Sequence, residues 1–298
     1  MATRHIERLS GPVEATVAVP GSKSIANRAL VCAALAEGTS ALTNVPGGDD
    51  TRAMLGCLRE LGLDAHLDGD RVEVTGGGPN WPSGERTLFT ELAGTTSRFL
   101  TALAALGDSP VTIDGLPPLR KRPFGPLHGA LTQLGVQITP AAAPGNLPVA
   151  VTGPPTAGAA TIRGDVSSQY VTALMLIGPH LPGGLELTLS TPLVSQPYVE
   201  LTAAVMAWFG VDDVEVGEHS VRVGAGRYAP ADVAVEPDAS SASYPLAVAA
   251  VCGGSVTVPG LGLGALQGDA RFADVLADMG CAVERSDDQV RVNGTRHL

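Results

Sequence analysis

The sequence predicts an α/β (α+β) chain built by repeating one βαβαββ unit, and three observations lead there. Four small-hydroxyl clusters each open an apolar run: Ser22-Lys23-Ser24, Thr95-Thr96-Ser97, Val166-Ser167-Ser168-Gln169 and Ala239-Ser240-Ser241-Ala242-Ser243. Four glycines, Gly62, Gly135, Gly210 and Gly280, each close a second amphipathic run and stand 73, 75 and 70 residues apart. Alternating stretches broken by short turns follow three of those glycines.

Each element has a local reason. Ser and Thr accept from the unpaired N–H groups of a helix start, so the clusters mark N-termini. Short β-like stretches follow the first helices at 40–44, 111–114, 185–189 and 255–258. Glycine supplies the positive φ that ends a helix, which places the second helices before the four spaced glycines. Alternation across a Gly- or Asp-rich turn predicts hairpins over 64–74, 213–223 and 282–292. A period near 70 residues exceeds that of the usual solenoid repeats, so a solenoid is set aside.

Composition limits the function classes. With 298 residues, 44% hydrophobic, the chain is long enough to bury cores. It holds no run of about 18 apolar residues, and 1–8 contain no signal-peptide core; the expectation is a cytoplasmic protein without a membrane partner. Cys32, Cys57, Cys252 and Cys281 lack metal spacing and read as small buried apolar residues. The six histidines form no H-x-x-x-H pair, and no metal site is expected. A net charge of −11 argues against nucleic acid as a partner, because counterion release needs a basic surface.

That acidic background sharpens the basic motifs. The chain has only two lysines, Lys23 and Lys121. Lys23 stands in a turn that opens a helix, with Arg28 about one turn later, and helix N-termini attract anions. Arg120-Lys121-Arg122-Pro123 is a second concentration of charge. A solvated charged loop is the plain alternative, but the run's place between strand and second helix favours anion binding. A phosphate-binding P-loop does not fit, since Ser22 precedes Lys23 and Val17 stands where its first Gly belongs. Gly260-Leu261-Gly262-Leu263-Gly264 lacks the third glycine of a dinucleotide fingerprint and reads as a tight turn.

Six motifs then carry a specific resemblance: Pro-Gly-Ser-Lys-Ser-x-x-Asn-Arg at 20–28, Ala-Gly-Thr-Thr-x-Arg at 93–98, Arg-x-Arg-Pro at 120–123, Ser-Ser-Gln-Tyr at 167–170, Ser-x-Pro-Tyr at 195–198 and Asp-Ala-Ser-Ser-Ala-Ser-Tyr at 238–244. In this order, over nearly the whole chain, they resemble the 5-enolpyruvylshikimate-3-phosphate synthase family. The resemblance implies an enolpyruvyl-transferase-type lobe of three complete units over 20–236, with 1–19 and 237–298 forming part of a second lobe. It implies transfer of the enolpyruvyl group of phosphoenolpyruvate to the 5-hydroxyl of shikimate 3-phosphate, with release of phosphate, in aromatic amino acid biosynthesis. No cofactor is implied.

By resemblance, Lys23 contacts both substrates and takes part in proton transfer, while Ser24 and Arg28 meet the ring hydroxyls and carboxylate of shikimate 3-phosphate. Ser167, Ser168 and Ser195 hold its phosphate, with Gln169 and Tyr198 beside its ring. Gly94, Thr95, Arg122 and Gln169 line the phosphoenolpyruvate pocket.

The chain also departs from the family pattern. Family members carry six units, and four are counted here. The later motifs and the aspartate used as catalytic base would lie beyond Leu298, so the expectation is a C-terminally truncated copy with poor activity alone, completed by a further C-terminal segment or a second polypeptide. Leu92 and Phe99 replace the Asn and Pro of many members, so sensitivity to glyphosate does not follow from the motifs. Two alternatives stay open: a shikimate-3-phosphate-binding fragment or half of a split enzyme, and UDP-N-acetylglucosamine enolpyruvyl transferase. The latter opens with Gly-x-Lys-Asn and uses a loop cysteine that no cysteine here matches.

Overall fold

The computed structural model describes residues 11–295 and His5. The remainder of 1–10 and residues 296–298, counted above toward a second lobe, lie outside the described residues, as does most of the segment read as lacking a signal core. The chain divides into two compact units, Lys23–Val235 and a second made of Met1–Ser22 with Glu236–Leu298.

In chain order, β1 (Val13–Thr16) precedes α1 (Lys23–Leu35), β2 (Glu37–Thr43), α2 (Asp49–Glu60) and the hairpin β3 (Asp64–Asp68) and β4 (Arg71–Gly77). Next come β5 (Arg86–Phe89), α3 (Gly94–Ala104), β6 (Val111–Asp114), a short α4 (Pro117–Arg120), α5 (Gly125–Gln133), β7 (Gln137–Pro140) and β8 (Val149–Thr152). The third repeat runs β9 (Ala159–Ile162), α6 (Ser168–Ile177), β10 (Leu185–Leu189), α7 (Gln196–Trp208), β11 (Val214–Val216) and β12 (Ser220–Val223). After β13 (Asp232–Ala234), the fourth runs α8 (Ala239–Cys252), β14 (Gly254–Pro259), α9 (Phe272–Asp278), β15 (Ala282–Arg285) and β16 (Gln289–Gly294).

All four sheets share one topology. A lead strand pairs in parallel with the strand after the first helix, which pairs antiparallel with the second strand of a hairpin, leaving the hairpin's first strand at the sheet edge. The orders are β13-β2-β4-β3, β5-β6-β8-β7, β9-β10-β12-β11 and β1-β14-β16-β15. The first sheet therefore takes its lead strand from β13, and β1 serves the fourth. The strand expected at 40–44 begins earlier, at Glu37, and Asn44 lies past its end at φ 56°. The second repeat also carries a hairpin, β7 with β8, that alternation did not mark: the intervening 141–148 are rich in Ala and Pro.

In the Lys23–Val235 unit the first helices α1, α3 and α6 are buried on nearly every side; α6 is almost wholly apolar, whereas α1 and α3 also bury polar residues such as Asn27, Arg28, Thr96 and Arg98. α3 packs on α6, α6 on α7, and α1 on α7 and α3. The sheets cover this core with one face; β4 and β10 alternate buried and exposed residues. The second unit packs α8 and α9 on its own sheet, with Asp238 accepting from the Ser241 N–H at 2.7 Å to cap α8. Tyr244, Val248 and Val251 of α8 and Val275 of α9 are exposed.

The four spaced glycines share one mechanism. Gly62, Gly135, Gly210 and Gly280 adopt φ of 90°, 89°, 81° and 101°. Each donates to the carbonyl three residues back while the next residue donates five back, as in Gly62 to Arg59 (2.9 Å) and Leu63 to Leu58 (3.1 Å). This paired closure satisfies the last helix carbonyls and requires a left-handed residue. A Cβ at Gly280 meets nothing within 4 Å, whereas at Gly135 it overlaps the Thr156 hydroxyl. Gly280→Ala should cost about 1 kcal/mol from backbone strain alone, and Gly135→Ala distinctly more; chemical denaturation of both variants measures the difference.

His128 of α5 is buried against Phe124, ring centroids 5.9 Å apart, and neither ring nitrogen has a hydrogen-bond partner among the described residues. Burial pulls its imidazole down to about 4 from the ordinary 6.5. Between those values the unfolded chain binds a proton that the folded chain refuses, so this contribution is full above pH 6.5 and is lost as pH falls toward 4. The limit is roughly 3 kcal/mol. His128→Leu should flatten melting temperature against pH across that window, and an unchanged slope would assign the acid sensitivity to other groups.

Candidate active site

Burial singles out a few positions. In α1 all residues from Ile25 to Leu35 are buried, leaving Lys23 and Ser24 accessible; in α3 only Thr95 is not buried, and in α6 only Gln169. All four stand in the first turn of their helix, where unpaired N–H groups and the positive end of the helix dipole lie. Ser167 caps α6 by accepting from the Gln169 N–H at 3.3 Å, and Ser168, 9% exposed, begins the helix. Ser195 precedes α7 in the left-handed region, φ 58°, without a capping hydrogen bond, a conformation that costs a non-glycine residue about 1 kcal/mol. Among the described residues, the side-chain hydroxyls of Ser24, Thr95, Ser168 and Ser195 make no hydrogen bond, and none is a buried orphan.

Arg28 ties the helices beneath these hydroxyls. Its guanidinium is 2% exposed and donates to Thr202 Oγ1 (2.9 Å), the Ser24 carbonyl (2.8 Å), Thr172 Oγ1 (3.3 Å) and the Tyr198 carbonyl (3.1 Å). It also lies 5.6 Å from the Phe99 ring centroid and 6.0 Å from that of Tyr198. Ser24 and Tyr198 are thus joined through one cation, which spends most of its five donors on the protein. Burial pulls its pKa down to about 10, against raising influences from Tyr198 and Cys32.

A second cluster surrounds Gly94. A Cβ there would stand 2.6 Å from Arg122 Nη1 and 3.8 Å from Arg98 Nη1, so both guanidiniums crowd the first turn of α3. Arg98 donates to Gln169 Oε1 and lies 5.1 Å and 5.5 Å from the ring centroids of Tyr170 and Phe124. Burial lowers the Arg98 pKa; Tyr170 opposes the shift and the Arg122 charge adds to it. The loop carrying Arg122 is pinned by Tyr170, whose hydroxyl donates to the Pro123 carbonyl at 2.6 Å, and by Asn146, which donates to the Arg122 carbonyl at 3.2 Å.

Lys23 pairs with Asp50 at 3.0 Å, and Thr96 donates to the Asp50 carbonyl at 3.3 Å, linking the starts of α1, α2 and α3. Within the basic run, Arg120 is committed to both oxygens of Asp114, at 2.8 and 2.7 Å. Among the described residues Arg28, Arg98 and Arg122 form no ion pair, whereas Arg71, Arg120, Arg163 and Arg222 each hold a carboxylate. Burial pushes the Cys32 and Cys57 thiols up to about 12, so neither is a thiolate nucleophile near neutral pH. No group of three or more His, Cys, Asp or Glu among the described residues is placed to hold a metal, and no helix among them is long and apolar enough to cross a membrane.

Sequence reasoning did not nominate Arg98, Asp50, Thr172 or Thr202. Its place as the closing residue of the Ala-Gly-Thr-Thr-x-Arg motif at 93–98 was the available signal for Arg98. The threonines lie inside apolar helices, and only packing shows that they meet one guanidinium.

The comparisons with known proteins agree among themselves. The family model for EPSP synthase (3-phosphoshikimate 1-carboxyvinyltransferase) matches residues 8–298. The 3-phosphoshikimate 1-carboxyvinyltransferase of Shewanella sediminis is 42% identical over 292 residues, covering 95% of this chain and 68% of that protein. That of Klebsiella pneumoniae is 44% identical over 281 residues, covering 93% of this chain and 66% of that protein. The chain thus spans about two thirds of the length of these relatives. Its fold matches solved structures of EPSP synthase from Acinetobacter baumannii (TM-score 0.80, 24% identity, 95% of this chain and 65% of that one) and of the enolpyruvyl transferase NikO from Streptomyces tendae (TM-score 0.73, 19% identity, 96% and 67%). By sequence and by fold, the chain belongs to the EPSP synthase (3-phosphoshikimate 1-carboxyvinyltransferase) family of transferases.

Proposed function

We propose that the Lys23–Val235 unit binds shikimate 3-phosphate and that the chain serves enolpyruvyl transfer from phosphoenolpyruvate to that acceptor. The observation that carries this is the set of three guanidiniums without carboxylate partners, grouped with accessible hydroxyls at helix N-termini in a chain of net charge −11. Arg28 and Arg98 are buried; unpaired buried positive charge is costly, and a ligand with a carboxylate and a phosphate offsets it.

The roles are those the family resemblance implies, and the placement of these side chains at helix starts supports them. Ser167, Ser168 and Ser195 hold the phosphate, their hydroxyls adding to the N–H groups of α6 and α7. Ser24 and the remaining donor of Arg28 meet the ring side with its carboxylate, and Gln169 and Tyr198 lie beside the ring. Gly94, Thr95, Gln169 and Arg122 take phosphoenolpyruvate. In the reaction the 5-hydroxyl gives up its proton to a base and its oxygen bonds to the phosphate-bearing enol carbon, while the π electrons of the double bond take up a proton at the methylene carbon. The tetrahedral adduct then loses phosphate and a methyl proton, restoring the double bond. Lys23, held by Asp50, stabilises charge and shares in these proton transfers.

Calorimetric titration of the chain with shikimate 3-phosphate should show saturable one-to-one binding. Ser168→Ala should weaken it about tenfold, the worth of one charge-assisted hydrogen bond, without lowering the melting temperature. A folded chain that gives no saturable heat would refute the assignment. Arg28 is a poor probe, because its removal withdraws the donors that tie α1 to α6 and α7 and so disturbs their packing.

Gly94→Ala tests the second anion position. Its Cβ displaces the end of the flexible Arg122 side chain, so half-saturation by phosphoenolpyruvate, measured with shikimate 3-phosphate present, should rise about tenfold while shikimate 3-phosphate affinity holds. An unchanged half-saturation would remove Arg122 from the site.

A further inference from the structure

Arg98 is 9% exposed, yet it lies one turn from Gly94 and touches Gln169, one of the few accessible side chains on the core helices. Its guanidinium is held between the Tyr170 and Phe124 rings and has little freedom to turn. An arginine only donates, whereas a glutamine amide has an accepting end and a donating end. With Arg98 against Oε1, the Gln169 amide has one favourable orientation. Its Nε2 hydrogens make no hydrogen bond among the described residues and are not a buried orphan. A glutamine free to flip would present its oxygen to an anion for part of the time and repel it.

We propose that Arg98 is a positioning residue that fixes the polarity of Gln169, turning the amide oxygen inward so that an anionic ligand meets only N–H donors. This rests on the assignment of the site to phosphate- and carboxylate-bearing substrates. It explains a buried arginine without a carboxylate: a carboxylate partner for Arg98 would satisfy the cation and leave the amide free to rotate. Nearby Arg122 adds positive charge but, with an exposed side chain that makes no hydrogen bond to Gln169, does not set the amide's direction.

Gln169→Glu is the decisive variant in the full chain. It preserves shape, gives Arg98 a charged acceptor and presents the ligand with no donor. The melting temperature should hold or rise, and the Kd for shikimate 3-phosphate should weaken at least tenfold. Arg98→Met should weaken binding about three- to tenfold and abolish any thermal gain from Gln169→Glu. Combined with Gln169→Leu, it should add no further loss beyond that of the worse single variant, because both remove one oriented amide. Wild-type chain that fails to bind shikimate 3-phosphate would overturn the site assignment and this role with it. Wild-type binding with Gln169→Glu within twofold of it, or additive losses in the double variant, would overturn the role of Arg98 alone.

Discussion

The buried guanidinium of Arg28 is the constraint on which the Lys23–Val235 unit turns. It is a charge placed among apolar helices with no carboxylate to neutralise it, stabilised by two threonine hydroxyls, two main-chain carbonyls and two aromatic rings. Solvation of this kind needs partners from several elements at once, so the cation fixes how α1, α3, α6 and α7 meet. Since the bonded carbonyls belong to Ser24 and Tyr198, the bonds that solvate the charge also set two side chains of the site.

The repeat explains why such a site forms at helix starts. In the three repeats of the Lys23–Val235 unit the first helix is buried on nearly all sides, so only its first turn remains accessible. Bringing three such helices together gathers their unpaired N–H groups and hydroxyls. Charge is then added sparingly: Lys23 is balanced by Asp50 and Arg120 by Asp114, leaving net positive potential at Arg28, Arg98 and Arg122. An acidic protein can hold dianionic ligands in this way, because the local field at a desolvated cluster outweighs distant, screened charge.

Much of this was legible in sequence, and the limits are physical. Hydroxyl clusters and spaced glycines mark helix ends because their requirements are local: an orphan N–H to satisfy, a positive φ to adopt. The β7–β8 hairpin escaped notice because Ala and Pro interrupt its alternation. β13 escaped because three residues carry no periodicity, and its pairing with β2 is a long-range choice. In the site, the accessible hydroxyls and Lys23 stood out by motif, whereas Arg98 and Asp50 matter through what they touch. Sequence spacing cannot show that the amide of Gln169 and the guanidinium of Arg98 share a hydrogen bond across two helices.

The exchange of lead strands has a consequence for biosynthesis. Val13 pairs with Gly254, and Asp232 with Ala41, so β1 waits for β14, made more than two hundred residues later, while the intervening three repeats close on themselves when β13 emerges. A chain emerging from the ribosome can therefore complete its largest core before β1 has a partner. Until β14 is synthesised, β1 is an unpaired edge and a target for chaperones or for a neighbouring nascent chain.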